Sequence, residues 1–586
     1  MRRVKFLPAA VAFAIAFFAF AFLFLAAPVI PDADSYYHLA VAREYASGGY
    51  LEALPWARAS VLGETFGDKE YLFHVLLAPF ASWTDAASGG RLALALLNAA
   101  FVAAITAYAT RAFGWWSLAV PLWLYVAAPM MTFRLIRLRP ELVALLLLLA
   151  LLRLASERRF AFVAAVAAVF ALSYTAFHVV VGLSFLWFCT VWREREWQLP
   201  AAAVAGAAAG LLVHPGFPDN LRIWWIQNVV YFLEKGRLDV GNEIAPPTVS
   251  LLLLTNLGWW VGLALLWMGA RGLRPDRRRF LFTCIAAGVF ALLTVAMQRM
   301  AVYFVPLATL AAIVRLEARP VRPRARFALA LLATAALSLP ASVKIYRDLL
   351  PDQRYDQGYE ADYTAFGKAV PAGAKVAAHW GPAEFYTFFA PQGRYLNVLD
   401  PVFMAVRDPE LYEVQRRVFD GTAPDVPGAV KRVLDSDYLA FDVTTPLFER
   451  VQFDPRVVPL YNGYTFLGRI DAREMHRFVR DWRGYAFASP FEAYVDAARL
   501  SRTRCTRLVR EETLAEPVTR IYELAPFGPA ELRIGEAIRV RAPGVGAMLG
   551  KGTRFRVRLG AGTQRFTVTT CPAAGKNGFY LVRRDG

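Results

Sequence analysis

The sequence predicts a polytopic α-helical membrane domain of about eleven spans, followed by an extracytoplasmic α/β domain and a small C-terminal β-sandwich-like domain. Three observations point there. Hydrophobic residues make up 57% of the 586, and long Ala/Leu/Val/Phe runs fill roughly the first 345 positions before an ordinary mixed composition takes over. That split implies two solvents rather than one large soluble core. Arginines gather in short turns between the apolar runs, and the last hundred or so residues break into short alternating segments bounded by turn residues.

The amino terminus, MRRVKFLPAAVAFAIAFFAFAFLFLAAPVIPDAD, opens like a signal peptide. Its apolar run is too long for an h-region and matches a full span, which reads as an uncleaved signal anchor. Apolar runs then place spans near 5–29, 91–112, 116–133, 141–155, 160–175, 177–193, 199–213, 249–270, 279–297, 301–315 and 326–344.

With the amino terminus inside, the inner segments are Arg2–Lys5, the turn near Arg111, Arg153–Arg159, Arg193–Glu196, Arg271–Arg279 and Arg315–Arg326. RGLRPDRRR and RLEARPVRPRAR are the densest short basic turns, as the positive-inside bias requires. An odd number of spans puts the carboxyl-terminal part outside a cell inner (cytoplasmic) membrane, on the face of the long first outer loop, 31–90. That loop contains the amphipathic stretch KEYLFHVLLAPFASW.

Residues 1–345 thus form the membrane domain. Residues 346–475 alternate strand-like and helix-like segments (AKVAAH, GPAEFYTFF, RYLNVLD, AVKRVLD, YLAFDV), an α/β pattern. Residues 476–586 open with an expected helical stretch and end in RIYELA, AIRVRAP, TRFRVRLG, QRFTVTT and GFYLVRR, the rhythm of a β-sandwich. The net charge of +18 does not indicate nucleic acid as a partner: many of the arginines orient spans, and no basic stretch is interleaved with aromatics along a strand. Of four cysteines, Cys189 and Cys284 lie in apolar runs; Cys505 and Cys571 fall in the part expected outside the cytoplasm and are predicted to form a disulfide. No CxxC or HExxH spacing marks a zinc site.

Charges near bilayer depth are expensive and mark a site by default. PDADSYYHLA places Asp32, Asp34 and His38 just after the first span, carboxylates suited to a hard divalent cation. In RLIRLRPELVALLLL, Glu141 opens an apolar helix while Arg134, Arg137 and Arg139 crowd the preceding turn, against the orientation bias and therefore in need of an anion. VHPGFPDN and VGNEIAPPT contribute His214, Asp219 and Glu243. MQRMAVYFVP sets Arg299 at the outer tip of a hairpin, where its planar fork suits a phosphate.

Taken in order, these clusters resemble the GT-C superfamily of membrane glycosyltransferases, and within it the catalytic subunit of oligosaccharyltransferase. The resemblance implies that Asp34 is catalytic and, with Glu141, binds Mg²⁺ or Mn²⁺, and that Glu243 positions metal and acceptor. It further implies that Arg299, with Arg139, holds the phosphate of a polyprenyl-linked sugar donor drawn from the membrane lipid. Asp32, His38, His214 and, in HWGPAEF, His379, Trp380 and Glu384 are secondary or acceptor-side candidates. The sequence departs from the family pattern twice: Arg139 stands where the second acidic motif carries a further carboxylate, and the WWDYG motif is missing. The implied reaction moves a sugar or oligosaccharide to a protein, glycan or lipid acceptor on the outer face. The competing expectations are a lipid-linked-sugar transporter or flippase, or an envelope-glycan-binding scaffold.

Overall fold

The computed structural model describes residues 7–27, 29–190, 196–318, 323–347, 359–442, 445–451, 454, 456–471, 479–481, 485–487, 491–494, 503–546, 551–574 and 577–583. The chain separates into two compact units. The first comprises Met1–Ala361 with Ala383–Pro391 and Val398–Arg407; the second comprises Asp362–Pro382, Gln392–Asn397 and Asp408–Gly586. The division differs from a single cut near 345, because two short pieces of the expected α/β stretch cluster with the membrane unit.

Among the described residues of the first unit, five apolar runs are long enough to cross a membrane: Leu7–Ala26, Ala86–Ala127, Arg277–Ala296, Gln298–Leu316 and Arg324–Arg347. Shorter apolar helices include Phe160–Ser173, Gln198–Leu212 and Leu257–Gly269. The Ala86–Ala127 run is interrupted at Gly114, whose φ of 61° only glycine adopts without strain, so the expected turn near Arg111 is present. Asp85 and Asp276 cap the starts of Ala86–Phe113 and Arg277–Ala296 by accepting from backbone amides. Gly206 and Gly210 let the helix Gln198–Leu212 lie directly on Phe160–Ser173. A Cβ at these positions would meet the carbonyl oxygens of Ala164 and Ala168 at 2.1 and 2.5 Å.

The turns expected to face inward share partners. Glu317 accepts from Arg111 at 3.3 Å and from Arg279 at 2.6 Å, and Glu196 pairs with Arg158 and Arg278. Arg2–Lys5, Arg193, Arg319 and Arg322 lie outside the described residues. The long loop after the first helix is itself helical, with Ala33–Gly48 and Tyr71–Ala81 packed together. The ring of Tyr36 lies against Phe385, Phe388 and Phe389, and Trp56 donates to the Pro391 carbonyl at 3.0 Å, which explains why that segment joins this unit.

The second unit holds a five-stranded sheet in the order Arg394–Tyr395, Lys375–Ala378, Tyr438–Asp442, Thr465–Ile470, Val457–Asn462. Its first three strands are parallel and its last two antiparallel. Six- and four-stranded antiparallel sheets follow, and their inward residues, such as Tyr522, Leu524 and Leu581 from one and Leu532, Phe566 and Val568 from the other, form one buried core, a sandwich. Cys505 is joined to Cys571. The expected helical opening of 476–586 is corrected: Val479–Asp481, Tyr485–Phe487 and Phe491–Tyr494 are strands, in keeping with their Val, Tyr and Phe content.

Candidate active site

Five chain segments of the first unit bring charge to one place. Asp32 and Asp34 sit at the start of Ala33–Gly48, and Arg134 is near the end of Pro129–Leu135. Arg137 and Arg139 occupy the turn before Glu141–Ser156, which Glu141 opens. Glu243 lies on the short turn Asn242–Ile244, and Arg299 on Gln298–Met300, the first turn of the membrane-length run Gln298–Leu316. Backbone bonds hold these segments in register: Leu138 N–H donates to Ser35 Oγ at 3.1 Å, and Gln298 N–H to the Ala245 carbonyl at 3.0 Å.

The four residues singled out most strongly in the sequence meet through guanidinium groups. Arg139 reaches Asp34 at 2.9 Å and Glu243 at 3.1 Å. Arg299 reaches Glu141 at 2.9 Å and Glu243 at 3.3 Å, and its Nη2 donates to Tyr174 Oη at 3.5 Å. Arg134 grips Glu141 at 2.6 Å and also pairs with Glu243; Asp32 pairs with Arg139 and, at 3.6 Å, with Arg137. Arg134 and Glu141 are each 4% exposed. Buried charges persist only when paired, and here four guanidiniums face four carboxylates.

Glu384 adds a fifth carboxyl, in hydrogen-bond contact with Asp34. Burial and then the charge of Asp34 hold the Glu384 carboxyl well above the ordinary range, which favours its protonated form beside Asp34. Burial opposes the charge of Asp34, but Arg139 and the bond from Glu384 outweigh it and hold that carboxyl below its usual value. Glu243 is likewise held well below by Arg139, Arg134 and Arg299 against the effect of burial.

The carboxylates do not present the open oxygen set that Mg²⁺ or Mn²⁺ requires. Glu141 is held by Arg134 and Arg299, Asp34 by Arg139 and Glu384, and neither belongs to a described group of potential metal ligands whose donor atoms lie within 4.8 Å of one another. Arg139, standing where a further carboxylate was expected, pairs with Asp32, Asp34 and Glu243. No step below is routed through a divalent metal at Asp34.

Beside this network lies an open cavity of about 180 Å³, walled by Leu148, Phe170, Phe290, Leu293 and Met297 among others, with Arg299, Tyr174 and Asp400 also in its lining. Arg299 Nε–H is buried and has no hydrogen-bond partner among the described residues. A mainly apolar cavity with a guanidinium bearing a spare donor in its lining suits an amphiphile with an anionic head.

Other expected site residues have partners of their own. His214 donates from Nε2 to the Asp68 carbonyl at 2.6 Å and accepts Gly216 N–H at Nδ1, which pins a loop. His38 contacts His74. His379 stacks near Trp380 and Phe419 in the second unit. Sequence reasoning passed over Tyr174 and Asp400. Tyr174 lies within an apolar run, and Asp400 in LDPVF carries no spacing that sets it apart.

No protein-family model and no curated protein matches the sequence. Among solved structures, ArnT from Cupriavidus metallidurans bound to undecaprenyl phosphate superposes with a TM-score of 0.50 at 13% identity, covering 79% of this chain and 97% of ArnT. The chain shares the fold of ArnT. Apo ArnT gives a TM-score of 0.49 at 14% identity over 78% of this chain and 98% of that one. The mycobacterial arabinofuranosyltransferase AftD gives 0.45 at 14%, over 99% of this chain and 61% of AftD. With five described helical runs long and apolar enough to cross a membrane, the chain is a multi-pass membrane protein.

Proposed function

We propose that the protein is a membrane glycosyltransferase that moves a sugar from a polyprenyl-phosphate donor to a hydroxyl acceptor on the extracytoplasmic face of the inner membrane. The observation that carries this reading is the juxtaposition of the apolar cavity, the spare Nε–H of Arg299 and the Asp34–Glu384 carboxyl pair within one buried network. ArnT, whose structure holds undecaprenyl phosphate, supplies the precedent for the lipid. The span count of eleven and the outward carboxyl-terminal part belong to the same proposal and rest on the basic turns.

The polyprenyl chain enters along the cavity and its phosphate exchanges for Glu243 on Arg299 and Arg139. Glu243 is the partner best placed to leave, being the carboxylate that both guanidiniums share and lying on a short turn. The acceptor hydroxyl attacks the anomeric carbon while Asp34, ionised at neutral pH, takes its proton. The bond from that carbon to the phosphate oxygen breaks, and the departing lipid phosphate keeps the electron pair beside Arg299. Charge placed in advance around a leaving group in a dry site lowers the barrier by several kcal/mol. An oligosaccharyltransferase-like transfer to protein fits less well, because the motif that reads the acceptor's hydroxy amino acid is missing.

The test is reconstitution of the full chain in liposomes with a panel of polyprenyl-phosphate and -diphosphate sugars and mixed glycan, lipid and peptide acceptors, read by mass spectrometry. Sugar transferred to an acceptor with release of polyprenyl phosphate supports the reading. Donor that crosses the bilayer without transfer would favour a flippase instead.

A further inference from the structure

We propose that His38, Glu70 and His74 form a zinc site in the loop that follows the first membrane helix. Their ligand atoms lie within 4.8 Å of one another, and all three residues are buried. The set of two imidazoles and one carboxylate is the donor chemistry zinc takes in three-ligand sites that keep a fourth position open.

Two further observations point to a ligand. The tautomer of His74 is set by its neighbour: Nδ1 lies 2.7 Å from Asp68 Oδ2, so Nδ1 carries the hydrogen and Nε2 offers its lone pair inward. A carboxylate behind a metal-binding histidine is the usual orienting partner. Asp68 is itself fixed, accepting from Tyr45 Oη at 2.6 Å and from the Glu70 backbone N–H at 3.0 Å. The second observation is Glu70, 6% exposed, whose carboxylate has only Lys69, at 3.7 Å, in ion-pair range among the described residues. A buried carboxylate so weakly matched is neutralised by a proton or by a cation, and here two imidazole nitrogens stand beside it to share the cation.

The ring nitrogens His38 Nδ1 and His74 Nε2 stand 2.8 Å apart, sharing one hydrogen. Zinc at about 2.0–2.1 Å from each, in tetrahedral geometry, needs them about 3.4 Å apart. Binding therefore asks for a widening of about half an ångström and a switch of His38 to the tautomer that frees Nδ1. Glu70 and His74 lie four residues apart where Tyr71–Ala81 begins, and His38 lies one turn beyond Asp34 on Ala33–Gly48. The ion would tie the two helices together and steady the helix that carries Asp34.

The experiment uses the full chain purified in detergent without chelators, loaded with zinc sulfate, desalted and assayed by inductively coupled plasma mass spectrometry. About one zinc per chain is expected in the wild type and in Asp34→Asn, with at least a tenfold loss in His74→Ala and Glu70→Gln. Wild-type protein that retains almost no zinc overturns the proposal, as do folded ligand variants that keep it or an Asp34→Asn that loses it. If the ligand variants do not fold, X-ray absorption on zinc-loaded wild type decides: imidazole scattering with oxygen supports the site, and sulfur ligation or no imidazole overturns it.

Discussion

Arg299→Lys separates the guanidinium fork from its charge. Arg299 bonds Glu141 at 2.9 Å and Glu243 at 3.3 Å while its Nε–H stays free. Lysine keeps the balance of four cations and four carboxylates but offers a single ammonium that cannot span both carboxylates and still aim a donor at a phosphate. The fold should tolerate the change, because Glu141 retains Arg134 and Glu243 retains Arg134 and Arg139. Loss of one charge-assisted bond gives a stability decrease of about 1.5–3 kcal/mol at most. Loss of one aligned donor on a developing negative charge lowers kcat by about 10²-fold or more, about 2.7 kcal/mol of barrier. The assay is single-turnover transfer from a radiolabelled polyprenyl-phosphate sugar, with a melting curve on the same sample. A folded Arg299→Lys protein within about threefold of wild type would refute the reasoning, since a bare charge would then suffice.

Glu384→Gln tests the shared proton. The Glu384 carboxyl is raised in the fold, so above the unfolded value of about 4.3 the unfolded chain ionises first and the native state loses stability as pH rises toward the folded value. Glutamine cannot ionise, so the variant should melt like wild type near pH 4 and increasingly above it at pH 6 and 8; a gap independent of pH would contradict this. Gly206→Ala puts a Cβ 2.1 Å from the Ala164 carbonyl oxygen and should destabilise the protein by about 1–3 kcal/mol in thermal melts; an unchanged melt would show the helices can part freely. Because guanidiniums occupy the carboxylates, omission of Mg²⁺ and Mn²⁺ from the transfer assay should change the rate by less than about twofold, and strict dependence on either ion would show that the network rearranges around a metal.

The site was legible in the sequence wherever a charge interrupted an apolar run. Asp34, Glu141, Glu243 and Arg299 each stand at such a boundary, where an unpaired charge is costly. Arg134, Arg137 and Arg139 ran against the orientation bias and demanded an anion, which the structure supplies from within the chain as Asp32, Glu141 and Glu243. Pairing was not legible, because which guanidinium meets which carboxylate depends on helix packing over 100 residues of separation. Glu70 and His74 were hidden for a similar reason: their third partner, His38, lies on another helix, so no contiguous spacing announces the group. The stretch from 476 misled because VRDW and FEAYV, whose described residues form strands, tolerate either state locally, and strand pairing decides between them, for Phe491–Tyr494 with the distant Phe579–Arg583.

The claim that Asp34 is the proton acceptor for transfer, rather than a structural anion, is tested most directly by Asp34→Asn in the reconstituted protein. Donor binding and turnover should be measured on one preparation. Binding of the polyprenyl-phosphate sugar within a few-fold of wild type, with transfer reduced by at least about 10³, is the expected result. Turnover that survives the substitution would remove Asp34 from the chemistry and with it the role assigned to the whole charged centre.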